Sequence, residues 1–351
     1  MSPGGKEVPE MKGEKMSILV TGGAGYIGSH ACVELLSAGH QLVVLDNLSR
    51  AKFESLARVE QITAAKLTFV EGDIRDERTL DALFSHYHID AVMHFAGLKA
   101  VGESTRLPLE YYDNNVVGSM RLLSAMTRHG VKTLVFSSSA TVYGANPPLP
   151  IMEAAPRSST NPYGQTKLVV EQMCAEWANA KQDVSVILLR YFNPVGAHES
   201  GLIGEDPKGE PNNLLPYITQ VAMGHRPYLS VFGSDYATTD GTGVRDYIHV
   251  MDLVQGHLAA LTRLHGVAGC HTFNLGSGQG YSVLEMVRAF EQASGKDIAL
   301  HMAPRRPGDI AASYACPDKA ARELDWRVAR DLSQMMQDSW RWQCRNPRGY
   351  S

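Results

Sequence analysis

The sequence predicts an α/β fold: a doubly wound parallel sheet of the dinucleotide-binding (Rossmann) type, followed by a second, smaller mixed α/β domain. Three observations predict it. At 17–29 the run SILVTGGAGYIGS breaks from apolar residues into closely spaced glycines and turns apolar again, the pattern of strand, turn and helix. Short apolar runs then alternate with helical stretches as far as Arg190, which implies a parallel sheet covered on both faces. From Asn193 the alternation fails, and Pro194, Gly196, Pro207, Gly209, Pro211 and Pro216 punctuate a region too irregular for further strand–helix units.

The glycine turn comes first. Gly22, Gly25 and Gly28 fall three apart, and Gly23, Gly25 and Gly28 satisfy G-x-G-x-x-G. One glycine of such a turn permits the reversal, one lets the backbone approach a pyrophosphate, and one lets helix and strand pack closely. The helix opening at Tyr26 and Ile27 then offers free N–H groups and the positive end of its dipole to phosphate. The next strand, 41–45, ends on Asp46, where a dinucleotide fold places an acid on the adenosine ribose. A ribose 2′-phosphate at roughly 4 Å from that carboxylate would be repelled by a few kcal/mol, so Asp46 favours NAD over NADP, with Arg50 lessening the penalty.

The following elements are read in turn: an amphipathic stretch at 53–63, a strand at 67–70 leading to Gly72-Asp73-Ile74, and a helix at 77–87. A strand at 91–95 is broken by the small pair Ala96-Gly97, where close backbone approach to a cofactor is expected. A helix at 114–128, a strand at 133–136 running into Ser137-Ser138-Ser139, a long helix at 162–179 and a strand at 184–190 complete the series. In the irregular region, 244–249, the helix 252–264 and the strand 272–275 are expected to return to the first domain. A helix at 283–293 and a basic turn at 304–309 follow. The resulting division is a disordered leader at 1–15, an NAD-binding domain at 16–193 with 247–277, and a substrate domain at 194–246 with 278–351.

Composition narrows the function. The 351 residues are 44% hydrophobic and 20% charged with a net charge of −4. No basic stripe suggests nucleic acid, and no apolar run reaches the about 18 residues of a membrane span. The expected partner is a small molecule. Cys32, Cys174, Cys270, Cys316 and Cys344 are scattered and never form a C-x-x-C pair, which argues against a disulfide framework and against a metal site, and points to a reducing cytoplasm. The leader is rich in Gly, Pro, Lys and Glu and lacks the apolar core of a signal peptide.

Tyr163 and Lys167 lie four apart at the start of the long helix, so one turn puts them on one face. A phenol is a poor base at neutral pH, and a neighbouring ammonium favours its phenolate. Tyr-x-x-x-Lys is common in a chain with 14 tyrosines, so the pair takes its meaning from the glycine turn and the strand-end serines. Ser139 is placed to hydrogen-bond the oxygen being oxidised, and Ser137 to satisfy backbone groups. After Ser139 come Ala140 and Thr141, neither a carboxylate. A sugar-nucleotide dehydratase needs an acid and a base there to expel a hydroxyl, and this strand end supplies neither.

Six stretches, T-G-G-A-G-Y-I-G, F-A-G-L-K-A-V-G-E-S, S-S-S-A-T-V-Y-G, N-P-Y-G-Q-T-K, R-Y-F-N-P-V-G-A-H and G-T-G-V-R-D-Y-I-H-V-M-D-L, are similar to those of the UDP-glucose 4-epimerases, within the extended short-chain dehydrogenase/reductase family. The resemblance runs from about residue 18 to residue 350. The first and fourth stretches specify only the superfamily, whereas the third, fifth and sixth are similar to the epimerases themselves. It implies that Gly22, Gly25, Tyr26, Ile27, Gly28, Asp46, Asn47, Asp73, Ile74, Phe95, Ala96, Gly97, Lys99, Asn114, Tyr163, Lys167 and Tyr191 surround NAD. It implies that Lys99, Ser139, Tyr163, Asn193, Asn213, Leu214, Phe232, Arg245, Arg306, Asp309 and Ser313 meet a UDP-hexose. Arginines suit a diphosphate because the guanidinium matches its oxygens in pairs, and Phe232 suits uracil.

The activity so implied is inversion of C4 by transient oxidation with tightly bound NAD, catalysed by Ser139, Tyr163 and Lys167. A small residue at Ser313, where restricted relatives carry tyrosine, implies that N-acetylated UDP-hexoses are accepted too. The resemblance also implies a homodimer pairing helices near 114–128 and 162–179, with Leu122, Met126, Val170 and Trp177 as apolar residues suited to either an interface or a core. Two rival readings share these parts: a net NAD-dependent oxidoreductase of sugar nucleotides, and a non-catalytic NAD-sensing protein.

Overall fold

The computed structural model describes residues 15–306 and 309–350. The expected leader, except Lys15, lies outside the described residues, as do Pro307 and Gly308 of the basic turn. In chain order the strands are β1 (Ser17–Thr21), β2 (Gln41–Asp46), β3 (Thr68–Glu71), β4 (Ala91–His94), β5 (Thr133–Ser139), β6 (Ser185–Tyr191), β7 (Asn193–Val195), β8 (Leu229–Phe232), β9 (Val244–His249), β10 (Gly269–Leu275), β11 (Gly280–Ser282), β12 (Leu300–Ala303) and β13 (Ala312–Ser313). Seven of them form one sheet in the order β10-β6-β5-β4-β1-β2-β3, with every neighbouring pair parallel. The chain winds outward from β1 to β3, then crosses back to β4 and winds the other way. The crevice between the carboxyl ends of β1 and β4 is the switch point where ligands bind in such sheets.

The apolar runs form strands because both faces of the sheet are covered. On one face Ile18, Val20, Val44, Met93, Val135, Ile187 and Phe273 pack with the helices Tyr26–Ser37 and Val250–Leu264. On the other, Leu19, Val43, Val92, Leu134, Phe136 and Leu188 meet the helices Glu77–His86, Gly118–Arg128 and Pro162–Lys181. Adjacent residues of one strand therefore serve opposite cores, the consequence of side chains that alternate across the sheet.

Several expectations change. The helix expected at 114–128 begins at Pro108 and passes through a π-helical turn, Tyr112–Val117, before the α-helix Gly118–Arg128. The wider turn accommodates Asn115, whose buried side chain points inward rather than to solvent. Strand β5 continues through all three serines. Strand β9 joins a smaller sheet, pairing with β7, β11 and β13, while Ile248 near its end packs in the core of the large sheet ahead of the helix Val250–Leu264. Its partners are two- and three-residue strands far away in sequence, so no local pattern announces the pairing. Strands β8 and β12 make a further two-stranded pair.

Trp326, Trp342 and Tyr350 pack into the core of the large sheet, so part of 278–351 rests on the unit assigned to the cofactor. Leu122, Met126 and Val170 are buried against the sheet, which settles their role as core. Trp177 packs at the edge of the same core and donates its indole N–H to Thr127 at 3.0 Å.

Candidate active site

The glycine turn makes a cradle only glycine can make. Gly22 has φ of +71°, and a Cβ there would lie 2.5 Å from the Ala96 nitrogen, so the turn and the end of β4 touch through bare backbone. Phe95 and Ala96 both donate N–H to the Thr21 carbonyl, at 2.9 and 3.0 Å, which closes β4 onto β1 at the crevice. At Gly28 a Cβ would meet the Gly22 carbonyl oxygen at 2.2 Å, so the helix seats against the turn. Gly25 heads that helix without a side-chain cap, leaving the first N–H groups, from Tyr26 and Ile27 onward, for an anion.

Beside the cradle, Asp46 ends β2 and accepts the N–H groups of Ala24 at 3.0 Å and Leu48 at 2.9 Å. Burial raises its carboxyl above the usual range. Asn47 donates to Asp73 at 2.8 Å, and Asp73 pairs with Arg75, whose hydrogen bonds hold it down to about 2. Ile74 is buried beneath. A clash-limited phosphate turn and an acid on the next strand end fit a dinucleotide with two free ribose hydroxyls.

The opposite wall holds Ser139, Tyr163 and Lys167. Lys167 is buried and donates to the Ser137 carbonyl at 2.6 Å, with its ammonium 4.8 Å from the centre of the Phe136 ring. Burial pushes it down to about 8, against the pull of Glu171 one turn on. Burial likewise raises the Tyr163 phenol, and a hydrogen bond with Ser139 pulls it back. Ser139 caps the short turn Ala140–Val142 and accepts from the Thr141 N–H at 3.2 Å and the Thr141 hydroxyl at 3.0 Å. Tyr191, in register with Ser139 on β6, donates its hydroxyl to Ser137. The three serines thus divide: Ser137 binds Tyr191 and Lys167, Ser138 donates to the buried Glu171 at 2.6 Å, and Ser139 faces Tyr163.

The loop 97–99 is fixed from the π-helical turn. Asn115 accepts from the Leu98 N–H at 2.8 Å and donates to the Leu98 carbonyl at 2.9 Å and to Thr166 at 3.0 Å. Asn114 donates to the Asn115 side chain. Gly97 faces Asn115 and Lys167, with the Lys167 ammonium 3.8 Å from where a Cβ would be. Lys99 reaches over to Glu205 at 3.0 Å.

The remaining residues lie in the second lobe and at the strand that leads into it. Asn213 heads the helix Leu214–Ala222 and donates to Glu205 at 2.7 Å. Phe232, at the end of β8, lies under Arg306 at 4.7 Å, and Arg306 pairs with Asp309 at 2.9 Å. Arg245 binds the Ile310 carbonyl at 2.9 Å and stands in register with Ser313. Asn193 opens β7, which pairs with β9 beyond Arg245.

Sequence reasoning missed Asn115, Thr141, Glu171 and Glu205. Each works through a contact made in three dimensions, and a single polar residue in a helix, turn or loop carries no periodicity. The nearest signal was the Asn114-Asn115 pair within an otherwise amphipathic helix.

A family model described as the NAD dependent epimerase/dehydratase family matches residues 18–276. Among curated proteins, the UDP-glucose 4-epimerase of Bacillus subtilis is 58% identical over 335 residues, 95% of this chain and 99% of that protein. Among solved structures, UDP-glucose 4-epimerase from Bifidobacterium longum in complex with NAD+ and UDP superposes with a TM-score of 0.92 at 50% identity, over 95% of this chain and 99% of that one. The enzyme from Stenotrophomonas maltophila, with bound NAD and formylated UDP-arabinopyranose, does so with a TM-score of 0.93 at 52% identity and the same coverage.

Proposed function

The chain belongs to the NAD dependent epimerase/dehydratase family, and from that premise we infer that it is a UDP-glucose 4-epimerase, an isomerase that inverts C4 of a UDP-hexose with bound NAD. Tyr163 takes the proton of the sugar 4-hydroxyl, with Ser139 hydrogen-bonded to the same oxygen and Lys167 stabilising the phenolate through its charge. NAD held by the glycine turn and Asp46 would supply the acceptor and donor for the C4 hydride and a positive charge that favours the phenolate. After the 4-ketose has turned over, Tyr163 gives the proton back. One proton and one hydride leave and both return, so nothing is consumed.

Turning requires a site that grips UDP and leaves the hexose loose. We assign the grip to Asn193, Asn213, Leu214, Phe232, Arg245, Arg306 and Asp309, and the cofactor's walls to Gly22, Gly25, Tyr26, Ile27, Gly28, Asp46, Asn47, Asp73, Ile74, Phe95, Ala96, Gly97, Lys99, Asn114 and Tyr191. The large unit, including Val250–Leu264 and β10, holds NAD, and the smaller sheets hold the UDP-sugar. The observation that carries epimerisation over dehydration is the Ala140–Val142 turn, which offers the site the Thr141 hydroxyl and no carboxylate. Purified protein given UDP-galactose without added NAD is expected to form UDP-glucose. A strict need for stoichiometric NAD would overturn the reading for a net oxidoreductase, and NAD binding with no conversion would favour a sensor.

Two finer readings follow. Ser313, small and beside Arg245 on β13, leaves room for an acetamido group, so UDP-N-acetylglucosamine and UDP-N-acetylgalactosamine are substrates as well. The chain pairs as a homodimer through the helices near 114–128 and 162–179, with Met120 exposed on the first and Val101, Leu107 and Leu109 exposed in the segment that leads into it. No helix among the described residues is long and apolar enough to cross a membrane, and the five free cysteines suit a reducing cytoplasm.

A further inference from the structure

We propose that Glu205 is a positioning residue that ties the cofactor lysine, Lys99, to the head of the substrate loop across the cleft. The inference rests on the reading above that Lys99 belongs to the cofactor's walls and Asn213 to the grip on UDP. One carboxylate oxygen of Glu205 accepts from Lys99 at 3.0 Å and from Asn213 at 2.7 Å, and the side chain is only 13% exposed. Its charge also reaches the phenol of Tyr26 in the dinucleotide turn, where it adds to the effect of burial in holding that group protonated. Glu205 therefore stands where the glycine turn, the lysine loop and the substrate loop converge.

Its backbone is held independently of these partners. Trp342 donates its indole N–H to the Glu205 carbonyl at 3.3 Å, and a Cβ on Gly204 would fall 2.4 Å from the Trp342 ring, so the ring lies directly on the chain at Gly204. Tyr350 bonds Gly204 through its hydroxyl and Asp206 through its N–H at 3.0 Å. Lys99 and Asn213 are the movable parties. Lys99 is half exposed on a loop. Asn213 occupies a helix-capping position and makes no side-chain cap; its Nδ2 donates to Glu205. An asparagine there ordinarily accepts from the first turn of its helix. With Asn213 turned away, the first N–H groups of Leu214–Ala222 stay free for the diphosphate.

An ion pair with one half-exposed partner adds little to fold stability, so its removal leaves the fold standing and alters where Lys99 rests. The test uses holoenzymes of the wild type, Glu205→Gln, Glu205→Asp, Lys99→Met and the double variant Glu205→Gln/Lys99→Met. The rate of NAD loss after gel filtration is read from nucleotide released on denaturation, together with KM and kcat for UDP-galactose and the melting temperature. Glu205→Gln is expected to speed NAD loss and raise KM by about tenfold each, with kcat changed much less and melting unaltered. Glu205→Asp, which keeps the charge, is expected to fall between. In the Lys99→Met background, Glu205→Gln is expected to speed NAD loss no further and to raise KM by less, through Asn213 alone. Equal effects in both backgrounds would reduce Glu205 to a structural residue, and wild-type NAD retention and KM in Glu205→Gln would overturn the proposal. NAD loss is measured without turnover, so absence of epimerase activity in the wild type would strike the functional reading alone.

Discussion

Tyr163→Phe removes the proton acceptor and keeps the ring, so turnover is expected to fall by about 100-fold or more while UDP binding, measured calorimetrically, survives. Near-normal turnover would transfer the base role to Ser139 acting through water. Ser313→Tyr is expected to abolish conversion of the N-acetylated sugars and spare UDP-galactose, because a phenol fills the space an acetamido group needs and steric rejection is worth a few kcal/mol. Equal loss of both activities would sink that idea. The sequence made Tyr163, Lys167 and Ser139 legible, since a spacing of four on a helix and a strand-end serine are local facts. It did not disclose what holds them. Lys167 binds the Ser137 carbonyl, and burial governs Tyr163 more than any neighbouring cation does. Those are properties of the packed core, as are the anchorages of Asn115 and Glu205.

Among the elements, the strand–helix alternation was readable because the strands are largely apolar runs of four to seven residues, most of them buried on both faces, with β3 at the sheet edge only partly covered. The π-helical turn was not, since one inserted residue shifts a helical pattern without breaking it. Nor was the place of β9, whose partners are far off in sequence. The same distinction governs the helix faces. An apolar stripe reads alike whether it meets a sheet or a second molecule, and here Leu122, Met126 and Val170 meet the sheet. Ahead of the helix Gly118–Arg128, Leu109 is 81% exposed. Light scattering at micromolar concentration is expected to give twice the chain mass, and Leu109→Asp to shift it toward one chain. A wild-type mass of one chain would refute the pairing.

For the molecule as a whole, three buried histidines link stability to pH. Burial pushes His30 and His94 down to about 3 and His257 down to about 4. Among the described residues, Nε2 of His30 and of His257 has no hydrogen-bond partner, consistent with neutral rings. Unfolding returns each to an ordinary value near 6.5, so below that pH the unfolded chain binds more protons than the folded one and stability falls. With all three contributing, the slope approaches about 4 kcal/mol per pH unit between 6 and 4. Asp46 and Asp246, raised by burial, oppose the trend at its acid end, while Asp73, held at about 2 by Arg75, reinforces it below about 4. Calorimetry from pH 7.5 to 5 should show a falling melting temperature with proton uptake of about three per chain or more, since burial lowers His40 and His198 as well; a flat profile would count against it. Another whole-chain feature is the support of the 204–206 loop by Trp342 and Tyr350, the latter 146 residues downstream of Gly204. Domains emerging from the ribosome fold from the amino end, so β1 to β6 can close their cradle while synthesis continues. The seat of Glu205 lacks its Trp342 and Tyr350 contacts until those residues have cleared the exit tunnel. A nascent chain stalled short of Trp342 would carry a finished dinucleotide turn and an unanchored sugar-nucleotide loop, so translation itself sets the order in which the two halves of the cleft mature.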